Sequence, residues 1–463
     1  MFLNLERHVG YRDSGILWLP TIPAHWGSER LKTIVTEIRV KGFPDEPLLA
    51  ATQSRGVILK KDYEARTVEA QKSLETLKLV EVDDFVISLR SFQGGIERAY
   101  ARGIISPAYT VLQAVKPEDR DYLALLFKSI EFIDALKLTI TGIREGQNID
   151  YARLAPYLMP VPPEYEQAAI VKYLGHAHAR IDRAIDAKRR LIVLLEEQRQ
   201  TIMHRAVTRG LDPTVPFKST GIAWFGEIPA HWEVRRAKYL FKEFDNRSGT
   251  GLERLLSLRA LAGLVFHDEV SDKVIGPEVL TKYKKVGPGH LVMNRMRAAS
   301  GLFAIASTDG LVSPDYATME VAEVVDARFY LRLFKTRAAM TQFRQQSTGL
   351  GTGESGFMRL YSEAFGRIPM PIPPLEEQME ISDELARLEQ EGNETTNRVS
   401  REIELLREFR TRLTSDVVTG QVDVREIVET LSDLSGEVLA ASEDELPESD
   451  SNLSELEFAG TDE

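Results

Sequence analysis

The chain has 463 residues, 43% hydrophobic and 28% charged, a length and composition that allow two or three globular domains. It contains no cysteine, which excludes disulfides, thiolate zinc sites and cysteine nucleophiles, and no apolar run long enough to span a bilayer. The net charge of −12 argues against a nucleic-acid partner only superficially: twelve Asp or Glu and no Lys or Arg fall between Ile427 and Glu463, and without them 58 acidic residues face 58 basic ones. Residues 1–426 are therefore formally neutral, and the placement of the basic residues decides what the body binds. The acidic tail is Ser-rich and poor in aromatics, a composition expected to be disordered and solvating. Glu6 and Arg7 follow Met1 closely and no signal-peptide core is present, so a cytoplasmic location is expected.

Taken in order, the chain writes one unit twice. Gly15-Ile16-Leu17-Trp18 leads to Ile22-Pro23-Ala24-His25-Trp26. At an offset of 206, Gly221-Ile222-Ala223-Trp224 leads to Ile228-Pro229-Ala230-His231-Trp232. Ser106-Pro107-Ala108-Tyr109 returns as Ser313-Pro314-Asp315-Tyr316, and Leu126-Phe127-Lys128-Ser129 as Leu333-Phe334-Lys335-Thr336. Thr141-Gly142-Ile143 returns as Thr348-Gly349-Leu350, and Arg153-Leu154 as Arg359-Leu360. The stretches 43–79 and 245–284 show no convincing match, so one framework carries two different surfaces. Val82–Leu89 and His290–Met296 read as strands; Tyr122–Leu138 and Arg328–Gln346 read as helices, each ending near a Thr-Gly.

Each mixed α+β part is followed by a long helix opened by prolines. Val161-Pro162-Pro163-Glu164-Tyr165-Glu166-Gln167 precedes apolar or small residues at heptad spacing: Ile170, Leu174, Ala177, Ile181, Ala184, Leu191, Leu195 and Ile202, with Lys188 and Gln198 interrupting. Ile372-Pro373-Pro374-Leu375-Glu376-Glu377-Gln378 precedes Ile381, Leu385, Leu388, Val399, Leu406, Phe409 and Leu413, an offset of 211. The reading is a tandem duplication: domains 1–160 and 209–371, spacer helices 161–208 and 372–415, and an extension 416–463. Duplicated halves tend to relate by a pseudo-two-fold axis, which makes the helices antiparallel. At ~1.5 Å per residue each helix reaches ~60 Å, giving a rod with a domain near each end.

These residues resemble the specificity subunit of type I restriction-modification systems, over nearly the whole chain to about residue 425. The most specific element is Pro-Pro-x-x-Glu-Gln before a long helix, at Pro162–Gln167 and Pro373–Gln378, with the Ile-Pro-x-His-Trp entry and the Thr-Gly turn as further family features. The resemblance implies two target recognition domains, each reading one half of a bipartite asymmetric site on double-stranded DNA. The antiparallel coiled coil would act as a ruler and dock two methyltransferase subunits, and restriction subunits through them. It implies a subunit that is non-catalytic on its own, with S-adenosylmethionine, ATP and Mg on the partner subunits and no cofactor or metal on this chain. A methyltransferase-only system, a single-chain restriction-methylation enzyme and a non-DNA-binding coiled-coil scaffold are the alternatives. Two reading heads about one turn of DNA apart, ~34 Å, can address one face of the duplex.

Base reading needs Arg or Lys for guanine and Asn or Gln for adenine. Arg90, Ser91 and Gln93 follow a strand-like run and precede Gly94-Gly95; Asn294, Arg295 and Arg297 precede Gly301, with Arg90 and Arg297 at an offset of 207. Lys60, Lys61, Lys282, Tyr283, Lys284 and Lys285 are candidate phosphate contacts, and Arg55 and Arg144 further DNA candidates. Arg183, Lys188, Arg189 and Arg190 on the first helix, and Arg401, Glu404 and Arg407 on the second, are candidates for partner docking. His25-Trp26 and His231-Trp232 read as structural turns, since readers of different sequences would not repeat the same residues. Glu166-Gln167 and Glu377-Gln378, in the first helical turn, read as favouring the helix dipole and capping amides. Gly351-Thr352-Gly353-Glu354-Ser355-Gly356 fits a dinucleotide fingerprint but lacks a strand before it and a helix after it. His176 and His178 lie two apart on a helix and face different ways, which makes them poor metal partners. No methyltransferase Asn-Pro-Pro-aromatic motif, Walker lysine loop or His-Glu-x-x-His is present.

Overall fold

The structure is a computed structural model that describes residues 5–63, 74–141, 148–260, 262–350 and 357–431. Arg144, the Gly-rich loop 351–356 and the acidic tail beyond 431 lie outside the described residues. By internal contacts the chain divides into two units, Met1–Arg189 with Ser400–Glu445, and Arg190–Val399 with Leu446–Glu463. No helix among the described residues is long and apolar enough to cross a membrane.

In the first unit a four-stranded antiparallel sheet runs in the order Val35–Ile38, Thr110–Ala114, Phe85–Ile87, Glu97–Arg98. Its register pairs Val111 with Val86 and Leu112 with Phe85. Strand periodicity sends alternate side chains to opposite faces. Val86 and Val111 join Leu49, Val57, Val80 and Ile105 under a hairpin, Leu49–Thr52 with Gly56–Leu59. On the other side Phe85 meets Phe127 edge-on at 5.1 Å, and Phe127 meets Phe132 at 5.2 Å. The sheet is thus covered on both faces.

The second unit repeats this order: Phe241–Phe244, Tyr316–Val321, Leu291–Asn294, Phe303–Ile305. Leu291, Met293 and Met319 join an aromatic core with Phe241, Phe329, Phe334, Phe343 and Phe365. Val292 faces the opposite way, with Leu256, Leu258 and Val286. The hairpin here, Leu256–Arg259 with Gly263–Phe266, has the register of its counterpart 207 residues earlier, and Gly56 and Gly263 share a φ near 72°. Within the stretches that show no sequence match, the described residues therefore form the same hairpin.

Each run that reads as one helix is two. Arg120–Leu126 and Ile130–Lys137 are separated at Ser129, and Ala327–Phe334 and Arg337–Gln346 at Thr336. Both hydroxyls close the preceding helix by donating to a carbonyl three residues back, Leu126 at 2.8 Å and Leu333 at 2.7 Å. Thr336 also accepts from the Ala339 amide at 3.3 Å, an N-cap that starts the next helix.

The two long helices are Glu164–Arg209 and Leu375–Val418. Within the first unit they run antiparallel: His178 Nε2 meets Thr414 Oγ1 at 2.8 Å, Asp182 meets Arg410 at 2.9 Å, and Lys188 meets Glu402 at 2.5 Å. Burial holds the His178 imidazole down at about 4, so it sits neutral in the seam. Within the second unit Met203, Ala206 and Val207 share a core with Ile381 and Leu385. The buried stripe departs from the heptad reading. It passes through buried Ile170, Leu174, Ala177, Ile181 and Ile185, half-buried Lys188, Ile192, Leu195 and Arg199, and buried Met203 and Ala206, while Leu191, Ile202 and Phe409 are exposed. A strict heptad drifts by roughly 20° every seven residues against a 3.6-residue helix. This stripe inserts extra four-residue steps after Ile181 and Arg199 and so follows the helix's own period.

Candidate nucleic-acid interface

The repeated motifs form a lock that ties the start of each long helix to the domain before it. In the second unit Glu377 Oε2 accepts from His231 Nε2 at 2.7 Å and from Trp232 Nε1 at 3.0 Å. The neighbouring Gln378 donates to the Pro373 and Val324 carbonyls at 2.9 and 3.0 Å and accepts from the Asp326 amide at 2.8 Å. Asp326 caps the helix Ala327–Phe334. One Glu-Gln pair therefore fixes the start of the long helix to the Trp turn and to the helix Ala327–Phe334. In the first unit Glu166 meets His25 at 2.7 Å, and Gln167 donates to Asp119 at 3.0 Å and to the Pro162 carbonyl at 3.1 Å. The imidazole is satisfied by a residue 141 positions away rather than within its own turn. Gln378→Ala leaves the half-buried Asp326 amide without its acceptor and is expected to destabilise the second unit by about 1–2 kcal/mol, read from its urea midpoint.

In the first unit, three segments converge on one surface. The hairpin turn after Thr52 carries Gln53 and Arg55. The 3-10 turn Lys60–Asp62 follows the hairpin, and the helix Ser91–Gly94 follows the sheet strand. Gln53 Nε2 reaches Gln93 Oε1 at 3.3 Å and the Arg90 carbonyl at 3.5 Å. Arg55 reaches the Asp62 carbonyl at 3.3 Å. Lys128 reaches the Gly94 carbonyl at 2.8 Å and Glu97 at 2.5 Å. Burial pushes the Glu97 carboxyl up to about 7, against the pull of Lys128. Arg55, Lys61, Arg90 and Gln93 are exposed, and Lys60 half-buried, around this junction. Ser91 is not part of the surface: it is 2% exposed and its hydroxyl accepts from the Ser88 amide at 2.8 Å, which shapes the loop. Gly95 holds a φ of 84°, and an added Cβ would stand 2.1 Å from the Phe127 carbonyl. Gly95→Ala is expected to cost at least about 1–3 kcal/mol and to displace Arg90 and Gln93, seen as a fall in thermal midpoint.

The second unit places its candidates differently. Lys284 is 2% exposed because it shares the inward face of its short strand with Val286, and its ammonium donates to the Tyr316 carbonyl at 2.8 Å. Burial holds its pKa below the ordinary lysine value. Lys285 is paired with Glu253 at 2.6 Å, and Arg295 with Glu243 at 2.6 Å. Asn294 accepts from the Met296 and Arg297 amides, so it builds the turn. Tyr283 is half-buried, and burial raises its hydroxyl pKa. Arg297 and Lys282 are exposed, and Arg247, bonded to the Lys282 carbonyl at 3.0 Å, lies beside the latter. Gln53, Lys128 and Arg247 escaped the sequence reading. Gln53 carried a signal, a glutamine in a turn closed by glycine between two strand-like runs; the other two carried none.

On the long helices, Arg183, Arg189, Arg190, Arg401, Glu404 and Arg407 are exposed. Arg189 pairs with Asp186, and Arg401 with Glu404, along their own helices. Lys188 is half-buried in the seam and tied to Glu402, which removes it from the solvent face.

Residues 281–405 match the family model described as the type I restriction modification DNA specificity domain. The fold is similar to a chain solved in work on complex assembly and conformational transition of the type I R-M system. That likeness has a TM-score of 0.56 and 15% identity, and covers 87% of this chain and 99% of that one. The HsdS subunit from Thermoanaerobacter tengcongensis aligns with a TM-score of 0.48 at 15% identity, over 87% of this chain and 98% of that one. The matched segment contains the second Pro-Pro-x-x-Glu-Gln helix start, whose motif and hydrogen bonds recur in the first unit, so this part of the chain is similar to the type I restriction modification DNA specificity domain.

Proposed function

We propose that the chain is the DNA-reading subunit of a type I restriction-modification complex and performs no chemistry of its own. Each recognition domain reads one half of a split, asymmetric site. The long helices set the gap and dock two methyltransferase subunits, which bring S-adenosylmethionine, and through them restriction subunits that use ATP and Mg. The observation that carries this reading is one repeated framework with two unlike polar surfaces, Gln53, Arg55, Arg90 and Gln93 in one unit against Arg247, Lys282 and Arg297 in the other. A gel shift with the partner methyltransferase tests it. Sequence-dependent retardation supports the reading, and sequence-independent or absent binding overturns it in favour of a scaffold.

Charge and burial separate two neighbouring lysines. Lys282→Ala is expected to reduce the slope of log K against log salt by about 0.9, the loss of one phosphate contact. Lys284→Met is expected to leave that slope unchanged. Inserting a helical turn at Ala187 is expected to change the gap between half-sites while both half-site sequences persist. Mapping of modified adenines reads the result, and an unchanged gap removes the ruler.

A further inference from the structure

The first unit contains a cluster that its counterpart lacks. His8, His25 and Glu166 offer ligand atoms that all lie within 4.8 Å of one another. His8 Nε2 stands 3.6 Å from Glu166 Oε1, and His25 Nε2 2.7 Å from Glu166 Oε2. On the far side His8 Nδ1 stands 3.5 Å from Asp423 Oδ2. The side chains of His8 and Glu166 are 3% and 2% exposed, whereas His25 is open to solvent and lines a pocket of about 330 Å³.

We propose that His8, His25 and Glu166 bind one divalent transition-metal ion of the zinc class, with Asp423 as the outer partner that orients His8. Two nitrogens and one oxygen, with a further position open toward His25, suit a borderline-soft cation at about 2.0–2.2 Å. A ligating histidine commonly turns its other ring nitrogen to a carboxylate. Asp423 stands on that side, 3.5 Å from Nδ1, which has no hydrogen-bond partner among the described residues, and is itself gripped by Arg425 through both Nε and an outer nitrogen, at 2.5–3.1 Å.

Both ring nitrogens of His8 face carboxylates, yet a neutral imidazole carries only one N–H. With the proton toward Asp423, a lone pair points at Glu166. A metal ion between Nε2 and Glu166 turns that opposition into two bonds.

The second unit provides an internal contrast. The residue 206 positions after His8 is Thr214. There Glu377 accepts from both the imidazole and the indole of the His-Trp turn. In the first unit Glu166 faces His8 instead, and the buried Trp26 Nε1 has no hydrogen-bond partner among the described residues. The same carboxylate is thus engaged in one unit and redirected toward a second histidine in the other. An ion here would clip the N-terminal segment, the Trp turn and the start of the first long helix together.

The test is titration of the full, tag-free chain with zinc sulfate by calorimetry, and with cobalt chloride by visible absorption. Uptake of one ion per chain is expected in the wild type and after His231→Gln. His8→Gln abolishes it, and Asp423→Asn weakens it by about 10–100-fold. Absence of stoichiometric uptake by the wild type overturns the proposal, as does uptake that His8→Gln leaves intact. Should His8→Gln fail to fold, X-ray absorption at the zinc edge of the wild type decides: two imidazoles in the shell support the site, and a shell without them overturns it.

Discussion

Trp232→Ala is expected to destabilise the second unit by about 3–5 kcal/mol, the largest single-residue effect in that unit. The side chain is 0% exposed. Its ring meets Phe329 edge-on at 6.3 Å, and its indole nitrogen donates to Glu377. Gly210, at φ 74° just past the end of the first long helix, lies so close that an added Cβ would stand 3.5 Å from the ring. The tryptophan thus touches the end of one long helix, the start of the other and the helix Ala327–Phe334. Truncation opens a cavity among elements that cannot all collapse into it. Trp232→Phe keeps one aromatic ring but loses the donor and the second ring's volume, so a smaller loss of about 1–2 kcal/mol is expected. Urea unfolding followed by near-ultraviolet circular dichroism measures both. Equal losses in the two variants would show that the hydrogen bond, not the packing, holds the joint.

The duplication was legible because its markers are residues that backbone geometry and the joint demand: the Pro-x-His-Trp turn, the Pro-Pro helix start, the Glu-Gln pair. The hairpins Leu49–Leu59 and Leu256–Phe266 were not, since alternation and one glycine are all they must share. A two-residue period tolerates almost any polar residue on its outer face. The same tolerance misled the choice of site residues. Ser91 and Lys284 have the right chemistry for DNA but fall on inward positions, Ser91 in the first turn of a short helix and Lys284 on the inward face of a short strand, which only the tertiary packing decides. The seam of the long helices was readable at its start, where Ile170 to Ile181 obey both periods, and drifted once the two periods parted. His8 was invisible as a partner because the residues around it, 25, 166 and 423, are brought together by the fold alone.

Arg90→Ala and Gln53→Ala are each expected to relax one half of the recognised site and leave the other half as specific as before. A side chain that pairs two donors with a guanine, or an amide that pairs with an adenine, contributes about 1–3 kcal/mol of discrimination. At 1.4 kcal/mol per tenfold, that is roughly 5- to 150-fold against the wrong base. Gln53 bonds both Gln93 and the Arg90 carbonyl, so its loss also loosens the loop that presents Arg90, and the double variant should fall short of the summed single effects. Arg297→Ala is expected to act on the opposite half alone, because its strand-end loop occupies the equivalent place in the other unit. Lys61→Ala, at an exposed position on the flanking 3-10 turn, should instead weaken binding to all sequences alike. Mapping modified adenines in cells that carry each variant separates these outcomes. A motif degenerate in both halves after Arg90→Ala would break the assignment of one half-site to one unit, and an unchanged motif would remove Arg90 from the reading surface.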